Sequence, residues 1–297
     1  MFDLSPTLDC AGRPLKLDRP RILGVVNVTP DSFSGDGLAQ ADAAVAHGLR
    51  LVEEGADALD VGGESTRPGA EPVSLDEELA RVLPVIERLA RETAVPISID
   101  TSKPEVMRAA VAAGAGLIND ICALRQEGAL EAAAELGVPV ILMHMQGEPR
   151  SMQDAPHYDD VVAEVRRFLA DRILACELAG MPRARLVVDP GFGFGKNLEH
   201  NLSLLAQLES FAELGVPVLA GMSRKRMIGD VTGRAQGERT AGSVAAHLLA
   251  AERGALLLRS HDVAPLRDAL AVLEALRPFA PRPRQKAAAL PRWPEDE

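Results

Sequence analysis

Eight short apolar runs recur along this 297-residue chain, and they leave it few ways to fold. They lie near residues 22–27, 57–61, 97–100, 116–119, 139–143, 186–189, 217–220 and 255–259, built mostly of Val, Ile and Leu. Runs this short, with little polar alternation, suit strands of a parallel sheet covered on both faces. Stretches of helical length rich in Ala, Leu, Glu and Arg separate them. Strand and helix alternating eight times predict a single closed (β/α)8 barrel, an α/β fold that typically needs about 250 residues. The barrel is assigned to residues 21–279. Residues 1–20 contain two turn signals, Ser5-Pro6 and Ala11-Gly12-Arg13-Pro14, and are expected to form a hairpin or lid at the barrel bottom. Residues 280–297, rich in proline and mixed charge, predict a disordered tail.

Helix ends are marked as well. Ser74-Leu75-Asp76-Glu77 has capping-box spacing. Gly55, Gly114, Gly137 and Gly215 each stand before a strand, where a helix C-terminus takes a left-handed residue. The longest helix is expected near 158–179, after a polar loop at 146–158 long enough to move over a site.

Composition excludes several classes of partner. Aromatics are only 3%, too few for platforms that stack single-stranded bases. The formal charge of −11 argues against a nucleic-acid surface, so any bound anion must be held by local groups. Three cysteines at unrelated spacings, with no CxxC, give neither a disulfide framework nor a zinc set, and HExxH is absent. No basic n-region opens the chain and no apolar stretch of ~18 residues follows, so a cytoplasmic protein without membrane spans is expected.

Chemistry concentrates just past the strands, on the face where a parallel barrel holds its ligands. Asn27 ends the first run with an oxygen suited to a hard cation, and Asp31 and Asp36 follow on its loop. After the second run, Gly62-Gly63-Glu64-Ser65-Thr66-Arg67-Pro68 offers backbone amides, hydroxyls and a guanidinium to an anionic or carboxylated ligand. Asp100, Asn119 and Asp189 end three other strands. Short polar groups at such points are costly core residues, and together they suit the edges of a flat heterocycle. Asp189 in particular can accept two parallel hydrogen bonds from a ring N–H and an adjacent amino group. Any one of the three alone reads more readily as a helix N-cap or a barrel hydrogen bond. The run Gly191–Lys196 lacks phosphate-loop spacing and reads as close backbone approach to a planar ligand, with Phe194 as a wall. Lys225 is placed to bond a ring carbonyl or nitrogen; its alternative is a solvated basic run, Arg224–Arg226. Arg259 and His261 end the last run beside Asn27 across the barrel seam, where phosphate often binds. His144 and His157 have no comparable setting.

The segments VVNVTPDSFS, DVGGESTRPGA, SIDTSKPEV, LINDI, LMHMQG, VVDPGFGFGK, GMSRK and RSHDV, in this order over nearly the whole barrel, resemble the dihydropteroate synthases of folate biosynthesis. The resemblance implies a transferase that condenses (7,8-dihydropterin-6-yl)methyl diphosphate with 4-aminobenzoate, giving 7,8-dihydropteroate and diphosphate. It implies Asn27 as a Mg2+ ligand, and Arg259 and His261 on the diphosphate. Asp100, Asn119, Asp189 and Lys225 would bind the pterin, with Ile121, Met143 and Phe194 lining its pocket. Loops carrying Asp31 and Phe33, and Thr66, Arg67 and Pro68, would close over the aminobenzoate. Asp100, Lys225, Arg259 and His261 would carry the catalysis. Competition by sulfonamides and a homodimer through outer helices are implied too.

Two positions depart from the commonest family pattern. The first loop reads SFSGDG, which moves its acid to Asp36, and Arg226 follows Lys225 where some relatives have serine. A methyltetrahydrofolate-binding methyltransferase would share the pterin barrel but not need Asn27, Arg259 and His261 together. A non-enzymatic pterin-binding paralogue would lose part of that set. The absence of an evident nucleophile points to an SN1-like displacement.

Overall fold

The eight runs form eight parallel strands. The computed structural model describes residues 6–29, 37–65, 71–147 and 152–279. After an antiparallel hairpin, β1 (Thr7–Cys10) and β2 (Arg13–Lys16), come β3 (Arg21–Asn27), β4 (Ala58–Gly62), β5 (Ile97–Asp100), β6 (Leu117–Asp120), β7 (Val140–Met143), β8 (Leu186–Asp189), β9 (Val218–Ala220) and β10 (Ala255–Ser260). Strands β3 to β10 close in sequence order, β10 pairing in parallel with both β9 and β3. Helices α1 (Gly37–Glu53), α2 (Leu75–Glu92), α3 (Pro104–Ala112), α4 (Ala129–Leu136), α5 (Val161–Leu178) and α6 (Leu198–Ala206) follow β3 to β8 in turn. Two helices, α7 (Arg226–Thr232) and α8 (Thr240–Glu252), separate β9 from β10, and α9 (Val263–Leu276) follows the last strand. This is the expected (β/α)8 barrel with an N-terminal hairpin.

Period 2 along each strand divides the core. Ile22, Leu59, Ile99, Ile118, Leu142 and Val188 face outward into the layer between strands and helices. Leu23, Ala58, Leu117, Ile141, Val187, Leu219 and Leu257 face inward at the bottom, where Leu8, Cys10, Leu15 and Leu17 of the hairpin pack against them. Burying each leucine of this plug contributes roughly 2 kcal/mol. The hairpin turns at Ala11 and Gly12, with φ of 54° and 81°, the left-handed pair that a two-residue turn needs to match strand twist. Arg13 fixes it to the end of α2, donating to the carbonyls of Thr93 and Val95 at 3.1 and 3.0 Å.

Local signals mostly hold. Gly55, Gly114, Gly137 and Gly215 all have positive φ. Ser74 caps α2, accepting from the amide of Glu77, but Glu77 pairs forward with Arg81 one turn on, so only half of the capping box forms. The helix expected at 158–179 is α5, capped by Asp160 and equal in length to α2 at 18 residues. The tail 280–297 lies outside the described residues, as do Asp31, Phe33, Asp36, Thr66, Arg67 and Pro68.

Candidate active site

The same alternation that builds the bottom layer builds the site. Two residues above Ala58, Leu117, Ile141, Val187 and Leu257 stand Asp60, Asn119, Met143, Asp189 and Arg259; Asp100 stands two above Ser98. These positions face inward and upward, so a plug of leucines supports a polar ring. The guanidinium of Arg259 forks between two strands, Nε donating to Asp60 Oδ2 at 2.6 Å and Nη2 to Asp100 Oδ2 at 2.8 Å. Asn119 Nδ2 donates to the same Asp60 oxygen at 3.0 Å. Sequence reading missed Asp60, although a lone acid inside the fully buried β4 was its signal.

Loops at the strand ends are fastened to one another. His261 is set by Ser223, whose Oγ lies 3.0 Å from Nδ1 and accepts from the His261 amide at 3.1 Å. Arg224 is left-handed at φ 57° and binds Asp262 through both Nε (3.0 Å) and Nη2 (2.6 Å). Arg224 thus ties the loop of Lys225 to that of His261, while the Arg226 side chain, 86% exposed, stays in solvent. Lys225 Nζ donates to the carbonyl of Phe192 and lies 4.6 Å from the centre of the Phe194 ring, a cation–π distance. Asp120 turns away from the ring and accepts from Ser102 and from the amides of Cys122 and Leu124, shaping the loop that carries Ile121.

Two glycines of the segment after β8 have a packing role that the sequence did not disclose. A Cβ on Gly191 would lie 1.9 Å from the His144 carbonyl oxygen, and one on Gly195 2.4 Å from that of Gln146. Gly191 and Gly195 thus admit close approach of the loop after β7, while Gly193 and Phe194 line the cleft. Lys196, buried, joins the two loops: its Nζ lies 2.9 Å from His144 Nδ1 and from the carbonyls of Gly191 and Phe194. His144, set aside in the sequence, is therefore a structural partner of that lysine.

Two adjoining cavities open above the ring. One, of about 840 Å³, is lined by Asn27, Asp100, Phe194, Lys225, Arg259 and His261 together. The other, about 860 Å³, shares Asp100 and Glu64 with it and is lined by Ile121 and Arg125. Asn119, Met143 and Asp189 lie at the same level, 5%, 3% and 5% exposed. Arg226 reaches the rim of the first cavity and pairs with Asp230 at 3.6 Å. Asn27, Asp100, Phe194, Lys225, Arg259 and His261 thus share one cavity and Ile121 lines the other, while Asn119, Met143 and Asp189 line neither.

The sequence matches the family of pterin binding enzymes over residues 23–261. It is 53% identical to the dihydropteroate synthase of Escherichia coli K12 across 89% of this chain and 94% of that protein. The chain belongs to the dihydropteroate synthase family. Among solved structures, that of the Xanthomonas albilineans synthase with 4-aminobenzoic acid is 67% identical, with a TM-score of 0.89 over 93% of this chain and all of that one. A complex of the same enzyme with 7,8-dihydropteroate gives 63% and 0.85 over the same shares. The Yersinia pestis synthase in a sulfonamide drug complex is 48% identical, with a TM-score of 0.88 over 92% of this chain and 99% of that one. In this transferase family fold, no helix of the described residues is long and apolar enough to cross a membrane.

Electrostatics at the site follow from burial working against charge pairing. Burial pushes the Asp100 carboxyl up to about 7 against the pull of Arg259, with Asp60, Asp120 and Glu78 adding to the rise. Burial brings Lys225 down to about 8, opposed by Asp189. Burial also raises Asp189, opposed chiefly by Lys225. Burial disfavours the charge on Arg259 too, yet Asp60 and Asp100 hold it above the ordinary arginine range.

Two buried histidines give this family member a defined acid sensitivity. Burial lowers His144 to about 2 and His247 to about 4. Both stay neutral in the folded chain while the unfolded chain takes up protons below the ordinary value near 6.5. Their stability contribution is therefore full above pH 6.5 and falls at about 1.4 kcal/mol per pH unit for each. The His247 part ends near pH 4, and the His144 part continues toward 2. His247 Nε2 accepts from the Met222 amide at 3.3 Å, a bond glutamine can keep. His247→Gln is expected to flatten the loss of denaturation midpoint between pH 6 and 4.5; an unchanged slope would reject the assignment.

Proposed function

We propose that this chain condenses (7,8-dihydropterin-6-yl)methyl diphosphate with 4-aminobenzoate, releasing diphosphate and forming 7,8-dihydropteroate for folate biosynthesis. The observation that carries the reading is the convergence of Asn27, Asp100, Lys225, Arg259 and His261 on one cleft, in a family whose X. albilineans member has been solved with 4-aminobenzoic acid and with 7,8-dihydropteroate. Asp189 and Asn119 take the hydrogen-bonding edges of the pterin, Lys225 its ring carbonyl or nitrogen, and Ile121, Met143 and Phe194 its faces. Arg259 keeps Nη1 for an anion, since its bonds to Asp60 and Asp100 use Nε and Nη2. With His261, it neutralises the charge that grows on the departing diphosphate.

The donor set suits Mg2+. Among the described residues no group of three or more His, Cys, Asp or Glu forms a metal cage, and Asn27 shares the cleft with the anion-binding Arg259 and His261. Mg2+ is commonly held by one or two protein oxygens, with substrate phosphate and water completing its shell. Asn27 would supply that oxygen, and the ion would neutralise diphosphate charge. The displacement is SN1-like: the bond from the methylene carbon to the diphosphate oxygen breaks ahead of attack by the weak aniline nitrogen. The electron-rich dihydropterin stabilises the cation, Asp100 assists through its charge, and the nitrogen loses its proton after attack.

Asp31, Phe33, Thr66, Arg67 and Pro68, outside the described residues, belong to the same reading as contacts of the aminobenzoate, where sulfonamides compete. The barrel, residues 21–279, acts as the catalytic unit in the cytoplasm, with residues 1–20 as its hairpin. Exposed Leu202, Val231 and Leu249 on α6, α7 and α8 support a homodimer through outer helices. The test is diphosphate release by purified protein with Mg2+ and the dihydropterin diphosphate, with and without 4-aminobenzoate. Release coupled to dihydropteroate is expected; tight pterin binding without turnover would mean a binding paralogue.

A further inference from the structure

Beneath both cavities lies a charged group that the reading above does not use. Asp60 is fully buried in the middle of β4 and lines neither cavity. A carboxylate there costs several kcal/mol unless it is paired, and its pairing is unusual. One oxygen, Oδ2, accepts from both Arg259 Nε and Asn119 Nδ2, from strands on either side of the barrel. Its other oxygen, Oδ1, is buried with no partner among the described residues, as is the hydroxyl of Ser98, its neighbour in register on β5. A carboxylate kept for stability alone would satisfy both oxygens. This one aims its charge at Arg259, which lines the first cavity, and at Asn119 beside it.

We infer that Asp60 is a positioning residue for the reaction, its carboxylate holding the Arg259 guanidinium and the Asn119 amide in one fixed arrangement beneath the substrate. The inference rests on the function proposed above. Three consequences follow from the geometry. Arg259 is pinned by Nε, the nitrogen nearest its chain, so its plane is set by β4 and its outer nitrogens are left for Asp100 and an anion. Asn119 is fixed in orientation, because its Nδ2 donates to Asp60, which aims its carbonyl oxygen elsewhere. Asp60 and Asp100 also share one guanidinium, so the charge available to Asp100 depends on Asp60.

That sharing makes a signature beyond packing. Asp100 is faced by Asp60 from β4, Glu78 from α2, Asp120 from β6, Lys225 from the loop after β9 and Arg259 from β10. Removing the charge of Asp60 removes one of the groups that raise Asp100 and leaves Arg259 wholly to it. An amide at position 60 can keep its oxygen where Oδ2 stands and so preserve both accepted bonds. Asp60→Asn is therefore expected to fold and to move the acid limb of the pH profile for kcat/KM to lower pH. Asp60→Leu removes the bonds as well and is expected to lower kcat/KM by about 10- to 100-fold, the range for loss of a group that orients a site residue.

The deciding experiment is a double-mutant cycle. The kcat/KM for diphosphate release and the affinity for a pterin alone are measured for wild type, Asp60→Leu, Arg259→Ala and the double variant. If Asp60 acts through Arg259, its effect largely vanishes once Arg259 is alanine. Effects that multiply, as for independent sites, would overturn the inference, as would a wild-type kcat/KM in Asp60→Leu. Should Asp60→Leu fail to fold, Asp60→Asn takes its place, and an unshifted acid limb overturns it. A wild-type protein that releases no diphosphate would reject the proposed function instead, so the two failures are distinct.

Discussion

Replacing Arg259 with leucine is expected to lower kcat/KM by about 1,000-fold or more, since it removes a preorganised cation from the site where leaving-group charge develops. It is also expected to cost about 3–5 kcal/mol of stability, the usual result of deleting one partner of a buried ion pair. The reason lies in what remains. Asp60, fully buried, loses its 2.6 Å bond, and Asp100 loses its 2.8 Å bond. Lys225 does not replace the arginine, for its Nζ is held at the carbonyl of Phe192 over the Phe194 ring. The sign of the pH dependence follows. In the native protein burial already holds Asp100 near 7, against an ordinary value of 3.8, even with Arg259 opposing the rise. Without Arg259 the folded chain keeps a proton that the unfolded chain gives up above pH 4. Stability then falls as pH rises, through 7 and beyond. The deficit of Arg259→Leu against wild type should therefore be larger at pH 8 than at pH 5.5 in denaturant titrations. An equal deficit at both would mean that the carboxylates do not answer to this arginine.

Much of this is legible in the sequence, and the reason is periodicity. A parallel strand covered on both faces needs an unbroken apolar run, so β3 to β10 announce themselves in the sequence. Because side chains alternate, Asn119, Asp189 and Arg259 had to stand over the inward Leu117, Val187 and Leu257. What escaped was set by contacts far apart in the chain. Lys196 meets His144 across 52 residues and Asp60 meets Arg259 across 199, and neither pairing leaves a local pattern. Arg224 illustrates the same limit. A basic run usually means solvent, and only the position of Asp262 on the next loop makes it a clamp. The capping box failed for a nearer reason, since Arg81 stands one turn beyond Glu77 and offers it an opposite charge.

Gly191→Ala is expected to be among the most damaging single substitutions in the barrel, lowering stability by about 4 kcal/mol or more, a size that calls for a specific structural cause. Two causes act together. The residue has φ of +70°, which costs an L side chain roughly 1–2 kcal/mol. The added methyl would also lie 1.9 Å from the His144 carbonyl oxygen and 3.3 Å from Met143 Cγ. That carbonyl has little freedom to move aside. The amide of His144 donates to the Asp189 carbonyl at 3.0 Å, and its ring is held 2.9 Å from Lys196 Nζ, which also binds the Gly191 carbonyl. Relief must therefore come from pulling β7 and β8 apart or from shifting the loop after β8, and either movement disturbs Asp189, whose Oδ1 accepts from the Gly191 amide at 2.7 Å. Gly180 separates the two causes, for its φ is +88° while nothing lies within 4 Å of a Cβ there. Gly180→Ala should lose only the backbone part, about 1–2 kcal/mol, and keep full pterin binding. If the two variants melt at the same temperature, the contact with His144 contributes nothing and the loop after β8 is freer than its hydrogen bonds imply.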